Sequence, residues 1–207
     1  MDFSTFYLME NPQDKKAMFL TIEGEGAHLT RKETLSLFFG EWKPSSPIEF
    51  KVKNGSLATD FLWTGFPWVK CISNRVVEML SQSKITGWGT FQVSIRDKQG
   101  TPVSGYSGLS VIPSVGPIDL TRSPIVSSQI SYGKPHKVYK GLFFNENNWD
   151  ATDFFRIQNA LVAVTAKVKD AFQAASISNI LLTPITDIEL DCELFGPKEK
   201  ISTHDVC

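Results

Sequence analysis

Apolar positions along the chain fall into short runs divided by polar turns. Phe6 to Met9 and Met18 to Ile22 are two such runs, separated by Asn11-Pro12-Gln13-Asp14. Short apolar runs bounded by turn residues predict strands. From Leu29 to Trp42 the spacing becomes helical, with Thr30 as the cap and Leu35, Phe38 and Phe39 on one side. Pro44 and Pro47 are expected to stop that helix. Phe50 and Val52 then alternate with Lys51 and Lys53 and run into Asn54-Gly55, which predicts a strand closed by a tight hairpin turn.

The pattern next repeats itself. Residues 71–88 read CISNRVVEMLSQSKITGW and residues 163–180 read AVTAKVKDAFQAASISNI, aligned without a gap at an offset of 92. Nine of the eighteen pairs are chemically alike, among them Ser73 with Thr165, Arg75 with Lys167, Leu80 with Phe172 and Thr86 with Ser178. Ser73 and Thr165 each follow an apolar run and are expected to cap a helix. Val76, Met79, Leu80 and Ser83 recur at helical spacing, as do Val168, Ala171, Phe172 and Ala175. The spacing predicts helices over 73–84 and 165–176, with Val76, Leu80, Val168 and Phe172 in the core. Gly87 and Asn179 tolerate left-handed turns. Strands are expected after each helix, at Phe91 to Ile95 and at Ile185 to Leu190.

Between the copies, Gly105, Gly108, Pro113, Gly116 and Pro117 break the chain into short pieces, and His136 to Phe144 alternates as a strand. The whole predicts an α+β fold with mixed or antiparallel sheets and two pseudo-repeated strand–helix–strand units. Residues 1–57 form an N-terminal strand-rich segment and residues 58–207 the duplicated region, within one compact domain.

Composition adds limits. A chain of 207 residues with 24 aromatic side chains is not disordered. A net charge of −1 gives no overall field to recruit nucleic acid or an anionic membrane. The N-terminus has no basic start followed by an apolar run, so no signal peptide is expected. No stretch approaches the roughly 18 apolar residues of a spanning helix. Three cysteines, Cys71, Cys192 and Cys207, are too few and too odd for a disulfide framework; Cys71 and Cys192 are expected as buried free thiols. These features fit a cytoplasmic protein.

Motifs for chemistry are weak. His28, His136 and His204 lie far apart and no CxxC occurs, so no metal site is expected. Gly105-Tyr106-Ser107-Gly108-Leu109 lacks the second glycine of a nucleophile elbow. Gly24-Glu25-Gly26 and Gly87-Trp88-Gly89 lack the features of a phosphate loop. No catalytic or cofactor-binding residue is assigned. An enzyme whose site forms only in three dimensions, with groups such as Asp153 and Arg156, stays open as an alternative, as does a structural scaffold.

Charge is segregated. Residues 1–57 hold 7 basic and 8 acidic groups, residues 58–140 hold 9 and 4, and residues 141–207 hold 5 and 10. In the last part Asp187, Glu189, Asp191 and Glu193 alternate with Ile188, Leu190, Cys192 and Leu194. As a strand this sets four carboxylates on one face. That face is either solvated and relieved by basic neighbours or a docking surface for a basic partner.

One family resemblance covers about residues 40–190. The chain carries Thr59-Asp60-Phe61-Leu62, Gly65-Phe66-Pro67, Cys71 to Leu80 and Ile85-Thr86-Gly87. Asp153-Phe154-Phe155-Arg156, Val164 to Val168 and Ile177-Ser178-Asn179 follow. This order resembles a family of bacterial immunity proteins encoded beside polymorphic toxins, with Thr165 and Asn179 where the motif usually has Ser and Gly. The resemblance implies a non-enzymatic protein that binds a cognate toxin domain and occludes it. Asp187, Glu189, Asp191 and Glu193 are then candidate partner-binding residues.

Overall fold

A computed structural model describes residues 1–22, 29–128, 136–158 and 161–195. In chain order it contains β1 (Phe6–Glu10), β2 (Phe19–Ile22), α1 (Arg31–Phe38), β3 (Ile48–Asn54), β4 (Phe61–Thr64), β5 (Lys70–Ser73) and α2 (Asn74–Gln82). There follow β6 (Trp88–Phe91), β7 (Val93–Arg96), β8 (Tyr106–Val111), β9 (Ile125–Ser128), β10 (His136–Lys140), β11 (Phe154–Ile157) and β12 (Leu161–Thr165). Last come α3 (Ala166–Ala174), β13 (Leu181–Pro184), β14 (Glu189–Asp191) and α4 (Cys192–Phe195). The class is α+β. A seven-stranded mixed sheet has the order β6-β8-β5-β4-β2-β3-β7; a four-stranded antiparallel sheet runs β11-β12-β1-β13; a three-stranded one runs β14-β10-β9. Strands from residues 1–57 lie in both larger sheets, beside strands of the later region.

Two groups of four strands share one order and one register. In the large sheet β4-β5-β8-β6 sets Phe61 opposite Ile72, Ser73 opposite Tyr106 and Gly89 opposite Ser110. In the four-stranded sheet β11-β12-β1-β13 sets Phe154 opposite Val164, Thr165 opposite Phe6 and Leu181 opposite Glu10. The place of β8 is filled by β1, from the other end of the chain. α2 and α3 pack between these groups. Their inward residues Val76, Leu80, Val168 and Phe172 are buried in one core with Phe61, Ile72, Phe154 and Val164. Phe172 meets the rings of Phe61 and Phe154 edge-on.

Several expectations are corrected. α1 begins at the cap Thr30 as read, where the structure adds a capping box closed by Glu33, but it ends at Phe38 ahead of the prolines. Gly40, at φ +71, takes the left-handed turn there. Asn54-Gly55 closes no hairpin, because β3 pairs with β2 and β7 rather than β4. The turn is held by Ser56 and Leu57 N–H groups donating to the Lys16 carbonyl, and a Cβ on Gly55 would stand 1.9 Å from the Ala17 oxygen. The strand after α3 is Leu181–Pro184; Ile185–Asp187 is a 3-10 turn. The strand from His136 stops at Lys140, where Gly141 adopts φ +85. Thr165 makes no side-chain cap to α3.

Candidate functional site

The residues that carry the repeat motif meet at two carboxylates. Asp60 stands just before β4 and Asp153 just before β11. Ser73 donates its hydroxyl to Asp60 at 2.9 Å, and Arg75 pairs with it at 2.8 Å. From the other copy, the N–H and hydroxyl of Ser178 donate to the same carboxylate at 2.9 and 2.8 Å. Asp153 has the matching set: Thr165 hydroxyl at 3.0 Å, Lys167 at 3.1 Å, and the N–H and hydroxyl of Thr86 at 2.9 and 3.1 Å. Each carboxylate therefore ties its own helix start to the turn after the opposite helix. The basic partners add a second crossing: Arg75 also donates to the Ala175 carbonyl, and Lys167 to the Lys84 carbonyl at 2.8 Å.

Burial raises the Asp60 carboxyl, but the Ser178 and Ser73 hydrogen bonds and the Arg75 charge outweigh it and hold it below the ordinary range. Burial likewise opposes, and Thr86, Lys167 and Thr165 outweigh, at Asp153. Thr165 gives its hydroxyl to this carboxylate and caps nothing, whereas Ser73 both donates to Asp60 and accepts the Val76 N–H at 3.3 Å. Arg156 does not join Asp153. It lies 3.8 Å from the Phe39 ring and donates to the Ile112 carbonyl at 2.9 Å.

The turn residues differ between the copies. Gly87 has φ +86, and a Cβ there would lie 2.1 Å from the Phe154 carbonyl oxygen. Asn179, at φ +60, instead donates its Nδ2 to the Phe61 carbonyl at 2.7 Å and accepts from the Trp63 indole at its own carbonyl, 2.9 Å away. Trp63 and Asn179 line a cavity of about 680 Å³, with Met18, Phe19, Asp14 and Lys15. Behind Trp63, Lys70 is buried with its ammonium 5.2 Å from that ring and 5.4 Å from Phe38. Burial pushes its pKa down to about 8. The sequence reading missed this lysine, because its neighbours in the chain do not reveal the two rings that enclose it.

The acidic alternation does not form one strand face. Asp187 ends a 3-10 turn, only Glu189–Asp191 is strand, and Glu193 lies in α4. Glu189 accepts from Ser128 at 2.7 Å and pairs with Lys140 at 3.6 Å; the Ser128 bond, followed by Lys140, keeps its carboxyl low. Asp191 accepts the Glu193 N–H at 2.7 Å. Asp187 and Glu193 are exposed. The expected inward partners divide as well: Ile188 and Leu190 are buried, whereas Leu194 is 76% exposed.

Cys71 is buried, and burial pushes its thiol up; Cys192 is only half-buried. His28, His204, Cys207 and Gly24-Glu25-Gly26 lie outside the described residues. Among the described residues no group of three or more His, Cys, Asp or Glu is placed to hold a metal ion, and no helix is long and apolar enough to cross a membrane. Comparison with protein-family models and with curated proteins returns no match.

Proposed function

We propose that this chain is an immunity protein that neutralises a cognate toxin domain in the cytoplasm by docking on it and covering its active site or substrate path. The observation that carries the reading is the use made of the motif residues. Asp60, Ser73, Arg75 and Ser178, with Asp153, Thr165, Lys167 and Thr86, are engaged with one another. Their chemistry goes into holding two hairpin–helix units together, which suits a rigid binding scaffold and leaves recognition to the surface.

The acidic segment is the surface we assign to the partner. It lies on β14, an edge strand of its sheet among the described residues, on the 3-10 turn before it and on α4 after it. Asp187 and Glu193 project there, with Glu189 and Asp191 between them. Toxin domains that attack nucleic acid carry basic grooves, and an acidic edge complements such a groove. Steering of this kind speeds encounter and fades with salt.

The test is to look for a toxin domain encoded beside this gene, to co-purify it with this chain, and to follow association by stopped flow. Wild type is expected to bind and to block the toxin's activity. Asp187→Asn combined with Glu193→Gln, which spares the bonds of Glu189 and Asp191, is expected to associate several-fold more slowly at low salt and at the wild-type rate at high salt. An unchanged rate at low salt removes the acidic edge from the interface. Failure to bind that toxin at all overturns the immunity reading and favours the scaffold.

A further inference from the structure

We propose that β1 is an exchangeable strand: this chain pairs with a second copy of itself by trading β1, each copy laying its own between β12 and β13 of the other. This inference is independent of the toxin reading.

The first observation is the path of the chain. Among the described strands β1 bonds to β12 and β13, both from the later half of the sequence. β8, which holds the matching place in the large sheet, lies between β5 and β6 of the earlier half. After β1 the chain crosses to the large sheet, where β2 runs parallel to β4. After β8 it crosses the other way, and Ser114 runs parallel beside Arg156 of β11. Each half therefore lends its first strand to the other half's sheet. Two strand-swapped subunits have this arrangement, here joined in one chain.

The trough between β12 and β13 thus takes a strand from outside its own half, and β1 fits it on both faces. Phe6 and Leu8 enter one core with Phe144 and Phe155, while Met9 enters the other with Phe61 and Val164. Glu10 accepts the Thr183 hydroxyl at its end. The β1 of a second copy makes every one of these contacts, so exchange gives up none of them.

The second observation is the connection that would have to open. From β8 to Ser114 the chain passes through Ile112 and Pro113 alone, whereas from β1 to Phe19 of β2 it runs from Asn11 to Met18. Lys16 and Met18 are anchored: the Lys16 carbonyl accepts from Ser56 and Leu57, and the Met18 N–H donates to the Leu57 carbonyl. The hinge is therefore Asn11 to Lys15. Pro12 to Lys15 are exposed. Its bonds are local, from the Gln13 N–H to Asn11 Oδ1 at 2.8 Å and from the Lys16 N–H to Asp14 Oδ1 at 2.9 Å. Asn11, Gln13, Asp14 and Lys15 border the 680 Å³ cavity rather than packed core. Pro12 fixes its own φ and favours extended backbone at Asn11, which suits a chain that runs straight on. Gln13, at φ +58, is where the chain turns back. A left-handed glutamine is strained, and a hinge that runs straight to another copy releases that strain.

The experiment unfolds equal amounts of ¹³C-labelled and unlabelled full chain together in urea. They are refolded by dialysis at about 1 mM, the effective concentration of a strand on a short flexible linker. Gel filtration with light scattering is expected to show roughly a tenth or more of the protein as dimer. In that dimer, isotope-filtered NOEs should join Tyr7 of one chain to Val164 of the other. Refolding at about 10 μM should lower the dimer share at least tenfold. Gln13→Gly relieves the left-handed turn and should lower the share several-fold at the higher concentration. A chain lacking Gln13 and Asp14 cannot turn back and should fold as dimer throughout. Monomer alone after refolding at the higher concentration overturns the proposal. A dimer without NOEs between β1 and β12 of different chains overturns it too, as does an unchanged dimer share in Gln13→Gly or a folded monomeric deletion variant. Should the deletion variant not fold, wild type and Gln13→Gly decide. Toxin binding is read by a separate assay.

Discussion

At the scale of the residue, Lys70 shows how a local pattern misleads. It precedes the apolar Cys71-Ile72 pair at the start of β5, where a lysine is ordinarily free to reach water. Here it is 2% exposed, between Phe38 and Trp63. The rings compensate in part for the lost hydration, and burial still takes its pKa from 10.5 to about 8. The unfolded chain thus binds more protons than the folded one between those values, and stability from this group rises as pH climbs through that window. Below about pH 8 the cost of burying the charge is fully present. Lys70→Met is therefore expected to stabilise the protein by about 1–3 kcal/mol at pH 7, net of the lost ring contacts. The gain should shrink as pH approaches 10.5. Urea unfolding of both proteins at neutral and alkaline pH checks this; a variant less stable at pH 7 would show that the ring contacts outweigh desolvation.

At the scale of the element, the two carboxylates decide how α2 and α3 are held. Each takes four hydrogen bonds from side chains and backbone of both copies. Replacing Asp60 or Asp153 by Asn keeps the shape but removes the charge and turns donors toward donors. The expected loss is about 2–3 kcal/mol for either substitution at pH 7. Both carboxyls are held below their ordinary range, so their contribution is complete above the unfolded value of about 3.9. It is lost as pH falls through the lower folded values. Wild type and Asp60→Asn should thus converge in stability in strong acid, which thermal melts from pH 7 to pH 2 measure. A constant gap down to pH 2 would place the effect in packing rather than charge.

At the scale of the whole molecule, the N-terminal strand is a central piece. β1 lies between β12 and β13 and bonds to both, and Phe3, Phe6, Leu8 and Met9 are buried there. Removing residues 1–10 opens the four-stranded sheet along its middle and withdraws these side chains from the core. The apolar burial lost is on the order of 5 kcal/mol or more, comparable with the stability of an ordinary domain. The truncated chain is expected to lose its cooperative unfolding transition and its near-ultraviolet dichroism. A truncated protein that still melts cooperatively would mean that β12 and β13 close on each other without β1.

The elements with a local cause were legible in the sequence. Thr30 caps α1, and helical spacing places Val76, Leu80, Val168 and Phe172 inward. The gapless offset of 92 also brought together, on paper, Arg75 with Lys167 and Thr86 with Ser178. It did not reveal that Ser178 and Thr86 each cross to the other copy's carboxylate, because those partners lie 118 and 67 residues away. The cavity was likewise beyond reach, since its walls come from the loop after β1, from β2, from β4 and from the turn after α3. The acidic alternation marks the boundary most sharply. Period two over eight residues permits a strand, but a strand exists only where a neighbour offers its backbone. β10 pairs with Glu189, Leu190 and Asp191 and then turns away at Gly141. Side-chain order along the chain was determined locally, while backbone pairing depends on which distant segment stands alongside, and that only the tertiary structure decided.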